Sequence, residues 1–279
     1  MKKIFNRKNQ IFALGSILTV CFIVLAAFAE FLTPYDPAKM DMANKFIAPC
    51  LKHPFGTDHM GRDILSRIIL GSKVSLVTAA SAVLISALIG TILGMISGYV
   101  GGVMDVLIMR LVDVMLAFPA IVFALAISTL LGKGQMNLLI AICFVQWTRY
   151  ARVARGEAIM FKNSEYIQAA QSIGNSSFEI LLRYVLPHIV PKIVILISLD
   201  IGSIILYCAS LSFLGLGAQP PTPDWGVMIS EGKDYMQYAP WITVFPGLAI
   251  ALSALAFNML GDGLRDLLDP RMKETVRTE

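Results

Sequence analysis

EYIQAAQSIGNSSFEILLRYVLP, residues 165–187, is a polar, alanine-containing stretch set between long apolar runs. A chain otherwise this hydrophobic spends a water-facing helix between membrane spans where something docks, so the stretch points to a partner on one side of a membrane. It reads as two helical pieces around Gly174, a residue that can reverse the chain direction without a Cβ penalty. Ala169 and Ala170 are small enough for another surface to come close. Asn175, Ser176 and Ser177 are capping residues for the second piece, and Glu179 completes a capping box. Pro187 is expected to end that piece and feed the next span. An amphipathic helix resting on lipid headgroups is the alternative that the pattern alone leaves open.

Outward from this stretch, the apolar runs define six spans of about 20 residues each, the length that crosses a bilayer as helix. A basic flank (residues 1–10, with Lys2, Lys3, Arg7 and Lys8) precedes a first span at 11–32. Ala27-Phe28-Ala29 offers a small-residue cleavage pattern, but the run exceeds the 7–15 residues of a signal peptide, so a retained anchor is expected. A polar segment at 33–73, broken by Pro34, Pro37, Pro49 and Pro54, forms an outer loop. The second span, 75–100, carries Gly90, Gly94 and Gly98 on one stripe, which lets helix backbones approach closely in lipid. The third, about 106–131, is interrupted by Phe118-Pro119, which predicts a kink or break. The fourth, 136–147, runs out into Arg149, Arg152 and Arg155. The fifth covers 191–211, a Gly- and Pro-rich loop covers 212–240, and the sixth covers 241–260. Residues 74–262 thus form a helical membrane core, and 263–279 a charged tail.

The N-terminal flank places both termini and residues 165–187 in the cytoplasm. Lys and Arg number roughly fourteen inside against eight outside, which agrees with the positive-inside rule. The composition is of the same kind: 56% hydrophobic, 15% charged and a mean hydropathy of +0.70, against about 25% charged residues in soluble domains. A net charge of +4 on a chain of this type marks topology, not nucleic-acid binding. Cys21, Cys143 and Cys208 fall within apolar runs and Cys50 in a polar loop, so neither a disulfide framework nor a zinc site is indicated.

Two sets of charges stand out. Arg110 and Asp113, three apart on one helical face, are expected to neutralise each other. Asp200 lies in mid-span, and a carboxylate at that depth faces a wet cavity or a partner, which makes it a candidate for the translocation path. In the outer loop, residues 53–63 (HPFGTDHMGRD) combine turn formers with paired charges. Gly56, Thr57, Asp58, Gly61, Arg62 and Asp63 read first as an ordered structural loop, with contact to an external protein as the alternative. His53 and His59 lack a third metal ligand nearby.

Glu165, Ala169, Ala170, Gly174 and Pro187 resemble the EAA segment of bacterial ABC importer permeases. The resemblance extends over residues 34–271. The block at 53–63 with Ser66-Arg67 looks like the HPLGTD…GRD…SR signature. Further blocks match at 211–217, at 220–226, and at 260–266 continuing through Asp269-Pro270-Arg271. Together they are similar to the dipeptide/oligopeptide/nickel subfamily, in its shorter C-type subunit. The resemblance implies an all-α, type I importer fold of six transmembrane helices, with a cytoplasmic coupling helix between the fourth and fifth. It also implies a heterodimer with a homologous B-type permease, two ATP-binding subunits, an extracytoplasmic substrate-binding protein and residence in the bacterial inner membrane. The chain has no G-x-x-x-x-G-K-[ST] loop. ATP and Mg are therefore expected on the partner subunits, with no cofactor on this chain and no enzymatic activity of its own.

The cargo is read from residues 199–203, LDIGS, which resemble the nickel branch. Nickel, free or chelated, is the first reading, and di- or oligopeptides are the alternative. An intramembrane aspartyl protease built on Asp200 and Asp262 would also place carboxylates in the membrane. Asp262, however, is preceded by Met259-Leu260-Gly261 and lacks the G-x-G-D pattern of such enzymes. A passive channel would have no use for an ATPase dock.

Overall fold

Lipid offers no partner to backbone N–H and C=O groups, so apolar runs must satisfy them internally, as helix. The computed structural model describes residues 2–268. They form α1 (Lys2–Ala27), α2 (Ala29–Leu32), α3 (Ile64–Val100), α4 (Gly102–Leu116), α5 (Ala120–Leu131) and α6 (Gln135–Lys162). These are followed by α7 (Glu165–Ser172), α8 (Ser177–Ile180), α9 (Leu186–Phe213), α10 (Trp225–Gly232) and α11 (Trp241–Leu268). The described residues contain no strand beyond an isolated bridge between Thr57 and Asp63. The chain is an all-α, polytopic membrane protein. The tail beyond residue 268, with Asp269-Pro270-Arg271, lies outside the described residues.

Four helical stretches are long and apolar enough to cross a bilayer, and α4 with α5 makes a fifth if the bent pair is one span. The span expected at 136–147 is not among them: it is the first half of α6, which continues without a break into an arginine-bearing half. The interruption at Pro119 is more than a kink: α4 and α5 meet at 95°. Proline lacks the N–H that would continue the ladder, and α5 restarts with Phe123 N–H bonded to the Pro119 carbonyl at 3.0 Å.

Three expectations require correction. First, the outer segment expected at 33–73 turns helical at Ile64. The Asp63 carboxylate accepts from Ser66 N–H at 2.8 Å and from its hydroxyl at 2.7 Å, which caps α3. Second, Arg110 and Asp113 do not pair. Asp113 takes Arg152 of α6 at 2.8 Å instead, because α6 packs along α4 and brings its arginine to that face. Third, Pro187 does not end the second helical piece of residues 165–187. Residues 177–213 are one apolar helical stretch, and a wide π turn at Leu181–Val185 lets α8 run into α9. Pro187 occupies the first turn of α9, where a missing N–H is tolerated by the looser upstream turn.

The core is organised on α3 and α6, which run parallel in contact. A Cβ on Gly90 would overlap the Trp147 carbonyl, one on Gly94 the Ala151 carbonyl, and one on Gly98 would lie 2.5 Å from the Arg155 carbonyl oxygen. Four-residue steps on both helices keep the pair in register over two turns, the packing that small residues permit in lipid. At the Gly98 end of this pair Asp105 of α4 accepts from Ser97 (2.5 Å) and from both Nε and Nη2 of Arg155 (2.5 and 2.7 Å), tying three helices together. Near the start of α3, Trp225 is fully buried and donates to the Ile68 carbonyl at 3.0 Å. Its neighbour Asp224 caps α10 and meets Ser75 of α3 at 3.2 Å.

Candidate functional site

The candidate site has three parts. In the first, α7 begins with exposed Glu165, whose charge suits a helix N-terminus. The two alanines divide the work. Ala170 is buried beside Ile167, while Ala169 lies on the exposed side. Gly174 sits at φ +89° with nothing within 4 Å of where a Cβ would stand, and Asn175 N–H returns to the Ala170 carbonyl at 3.2 Å, closing the helix as a left-handed cap. Ser176 and Glu179 form the expected reciprocal capping box, at 3.0 and 3.3 Å. Two residues that the sequence reading passed over stand on either side of the turn: Ile173 is 79% exposed and Phe178 70%. The signal was available, since large apolar side chains in a polar turn are conspicuous. Behind the turn, Gln171 donates to the Tyr99 hydroxyl at 3.2 Å, anchoring α7 to the end of α3.

The second part is a cavity of about 360 Å³ between α4, α5, α6 and α9. Asp200 and Arg149 each lie fourteen residues into their helices, about 21 Å along the axis. Asp200 is buried and ion-paired with Arg149. The lone mid-span carboxylate of the sequence thus has a partner 51 residues away, which no local pattern shows. Gln146, Ser203 and Tyr207 add polar groups to the wall, and Met115, Leu116 and Phe118 give it an apolar side.

The third part is the block at 53–67. Arg62 and Arg67 are both almost wholly buried. Arg62 Nε meets Asp58 at 2.5 Å, and the Nη2 groups of Arg62 and Arg67 converge on one oxygen of Glu231, at 2.8 and 3.0 Å. Thr57 is buried, donating to the Asn44 carbonyl at 2.6 Å and accepting from Ile47 N–H at 2.9 Å. Gly56 and Gly61 take φ of +77° and +75°, and a Cβ on Gly61 would overlap the Asp41 carbonyl. Asp63 holds His53 at 2.9 Å, whereas His59 stacks on Tyr235. The two histidines therefore face different partners. Burial lowers the His59 pKa below its usual value, against the pull of Asp58 and Glu231. The whole block fastens the start of α3 to α10.

Residues 90–274 match the family described as binding-protein-dependent transport system inner membrane component. Residues 7–49 match the N-terminal TM domain of oligopeptide transport permease C. The chain is 47% identical over 268 residues to the glutathione transport system permease protein GsiD of Escherichia coli O157:H7, covering 96% of this chain and 88% of that protein. The same protein of Shigella boydii serotype 4 matches equally, and that of Shigella dysenteriae serotype 1 is 46% identical over the same shares.

Proposed function

The chain belongs to the family of binding-protein-dependent transport system inner membrane components, and on that premise we propose that it forms half of the translocation pathway for short peptides of the glutathione class. It is a permease component of an ABC importer. In this reading a second, homologous permease supplies the other half, two ATP-binding subunits hold ATP and Mg, and an extracytoplasmic binding protein delivers the cargo. Both termini and the turn at Gly174 lie on the cytoplasmic side, and ATP hydrolysis belongs to the partner subunits.

The peptide reading replaces the nickel reading drawn from residues 199–203. Relatives at 46–47% identity are glutathione permeases, and the N-terminal match is to an oligopeptide permease domain. Asp200, which a path for a bare cation would use as an open ligand, is engaged by Arg149. That pairing also removes it from any acid dyad with Asp262.

One observation carries the mechanical part. The exposed turn at Gly174, flanked by Ile173 and Phe178, is continuous through α8 and α9 with the wall of the cavity. A push on the turn by closing ATPase subunits therefore moves that wall directly. For such a push to drive transport, each state must differ in its contacts with nucleotide and with cargo. The test is uptake of radiolabelled glutathione and of radioactive nickel by cells with and without this chain. Peptide uptake that depends on the chain is the expected result. Nickel uptake that depends on it, with peptide uptake unchanged, would reject the reading.

A further inference from the structure

We propose that Arg149 is the group on this chain that receives a carboxylate of the cargo, with Asp200 as a positioning residue that holds it from behind. The inference deepens the peptide reading above and rests on it.

The two partners of the ion pair are not equally accessible. The Arg149 side chain is 54% exposed and that of Asp200 only 4%. A molecule entering the cavity meets the guanidinium, and the carboxylate lies behind it. Among the described residues, Arg149 uses Nη1 for Asp200. A guanidinium presents five N–H donors in a planar fork, so its remaining edge is open to a second carboxylate in the two-pronged geometry that arginine favours.

The surroundings agree with that assignment. Arg152, one turn further along α6, also lines the cavity and is held by Asp113 of α4. Each of the two guanidiniums is thus balanced by one carboxylate, but both carboxylates sit at the back or side of their arginines, and the N–H edges are what the cavity presents to a carboxylate of the cargo. Gln146, Ser203 and Tyr207 offer hydrogen bonds for amide groups beside it. Asp200 has a distinct task. Its buried carboxylate keeps the Arg149 guanidinium aimed into the cavity while no cargo is present.

The experiment uses the complete importer in proteoliposomes, with its partner permease, ATP-binding subunits and binding protein, the last saturated with glutathione or with trialanine. Arg149→Gln should lower the rate of glutathione uptake about tenfold, in kcat and not in the KM for loaded binding protein, because a charge-assisted contact is lost. Asp200→Asn should lower it less, and should add nothing in the Arg149→Gln background, because it acts through Arg149. Arg149→Lys retains the charge without the fork and should fall between wild type and Arg149→Gln. It decides the matter should Arg149→Gln fail to assemble. Wild-type uptake in Arg149→Gln, or in Arg149→Lys where that variant decides, would overturn the proposal, as would full additivity of the two substitutions. If the wild-type importer moves neither tripeptide, the peptide reading itself falls.

Discussion

Gly94 of α3 lies against Ala151 of α6 so closely that a Cβ on the glycine would overlap the Ala151 carbonyl oxygen and stand 2.8 Å from the Ala151 Cα. Backbone meets backbone there, and neither helix has a flexible side chain to move aside. Gly94→Ala should therefore destabilise the protein by about 1–3 kcal/mol, the usual cost of overpacking. Thermal unfolding in detergent checks this. Gly156→Ala is the matched control, since nothing lies within 4 Å of its Cβ position, and it should be neutral or slightly stabilising.

Gly174 presents the opposite case. No neighbour would be struck by a Cβ, but φ is +89°, a conformation that costs a β-branched residue about 1–2 kcal/mol locally. Gly174→Val should leave the protein folded and at normal abundance in the membrane while uptake is lost, because the surface between Ile173 and Phe178 is deformed. Glu165→Lys, at the exposed start of α7, should give the same separation of abundance from uptake. Normal transport by both variants would remove residues 165–187 from the coupling role.

Glu231 accepts from two buried arginines on one oxygen. Glu231→Gln leaves Arg62 and Arg67 with Asp58 as their sole carboxylate in the cluster. Loss of one partner from a buried ionic group costs on the order of 3 kcal/mol. The expected outcome is a lower melting temperature and early proteolysis between residues 33 and 63. An unchanged melting temperature would show that the block at 53–67 is not a fastening.

His59 supplies a pH dependence. Burial holds its pKa below the ordinary 6.5, so above that value both folded and unfolded forms are neutral at this residue and its full contribution is present. As pH falls below 6.5 the unfolded chain takes up the proton first, and stability is lost down to the lowered folded pKa. The melting temperature of the wild type should therefore drop more between pH 7.5 and 5.5 than that of His59→Gln. Parallel curves would refute the assignment.

The apolar spans other than 136–147, the turn at Gly174, its capping box, the glycine stripe and the break at Pro119 were all legible in the sequence, because each depends on residues within a turn or two of one another. What escaped was set by distant chain segments. Arg149 and Asp200 are separated by 51 positions, and Arg62 and Glu231 by 169. The early start of α3 depends on Asp63 as a cap and on Arg67 finding Glu231 across the fold, so a run that looked too charged for a span became its first turns. Pro187 misled for a local reason, since a wider turn just upstream absorbed the missing donor. The two apolar side chains beside Gly174 were visible but were read as part of a polar segment.

The absence of a joint between the turn at Gly174 and the cavity has one more consequence. From Ser177 to Asp200 the chain is helical throughout, a rod of about 35 Å at 1.5 Å per residue. A rod carries load both ways. In the proposed coupling role, resistance at the cavity end would be felt at the Gly174 end, so cargo and the nucleotide of the partner subunits would bias one lever from opposite tips, and each would alter how readily the other is held.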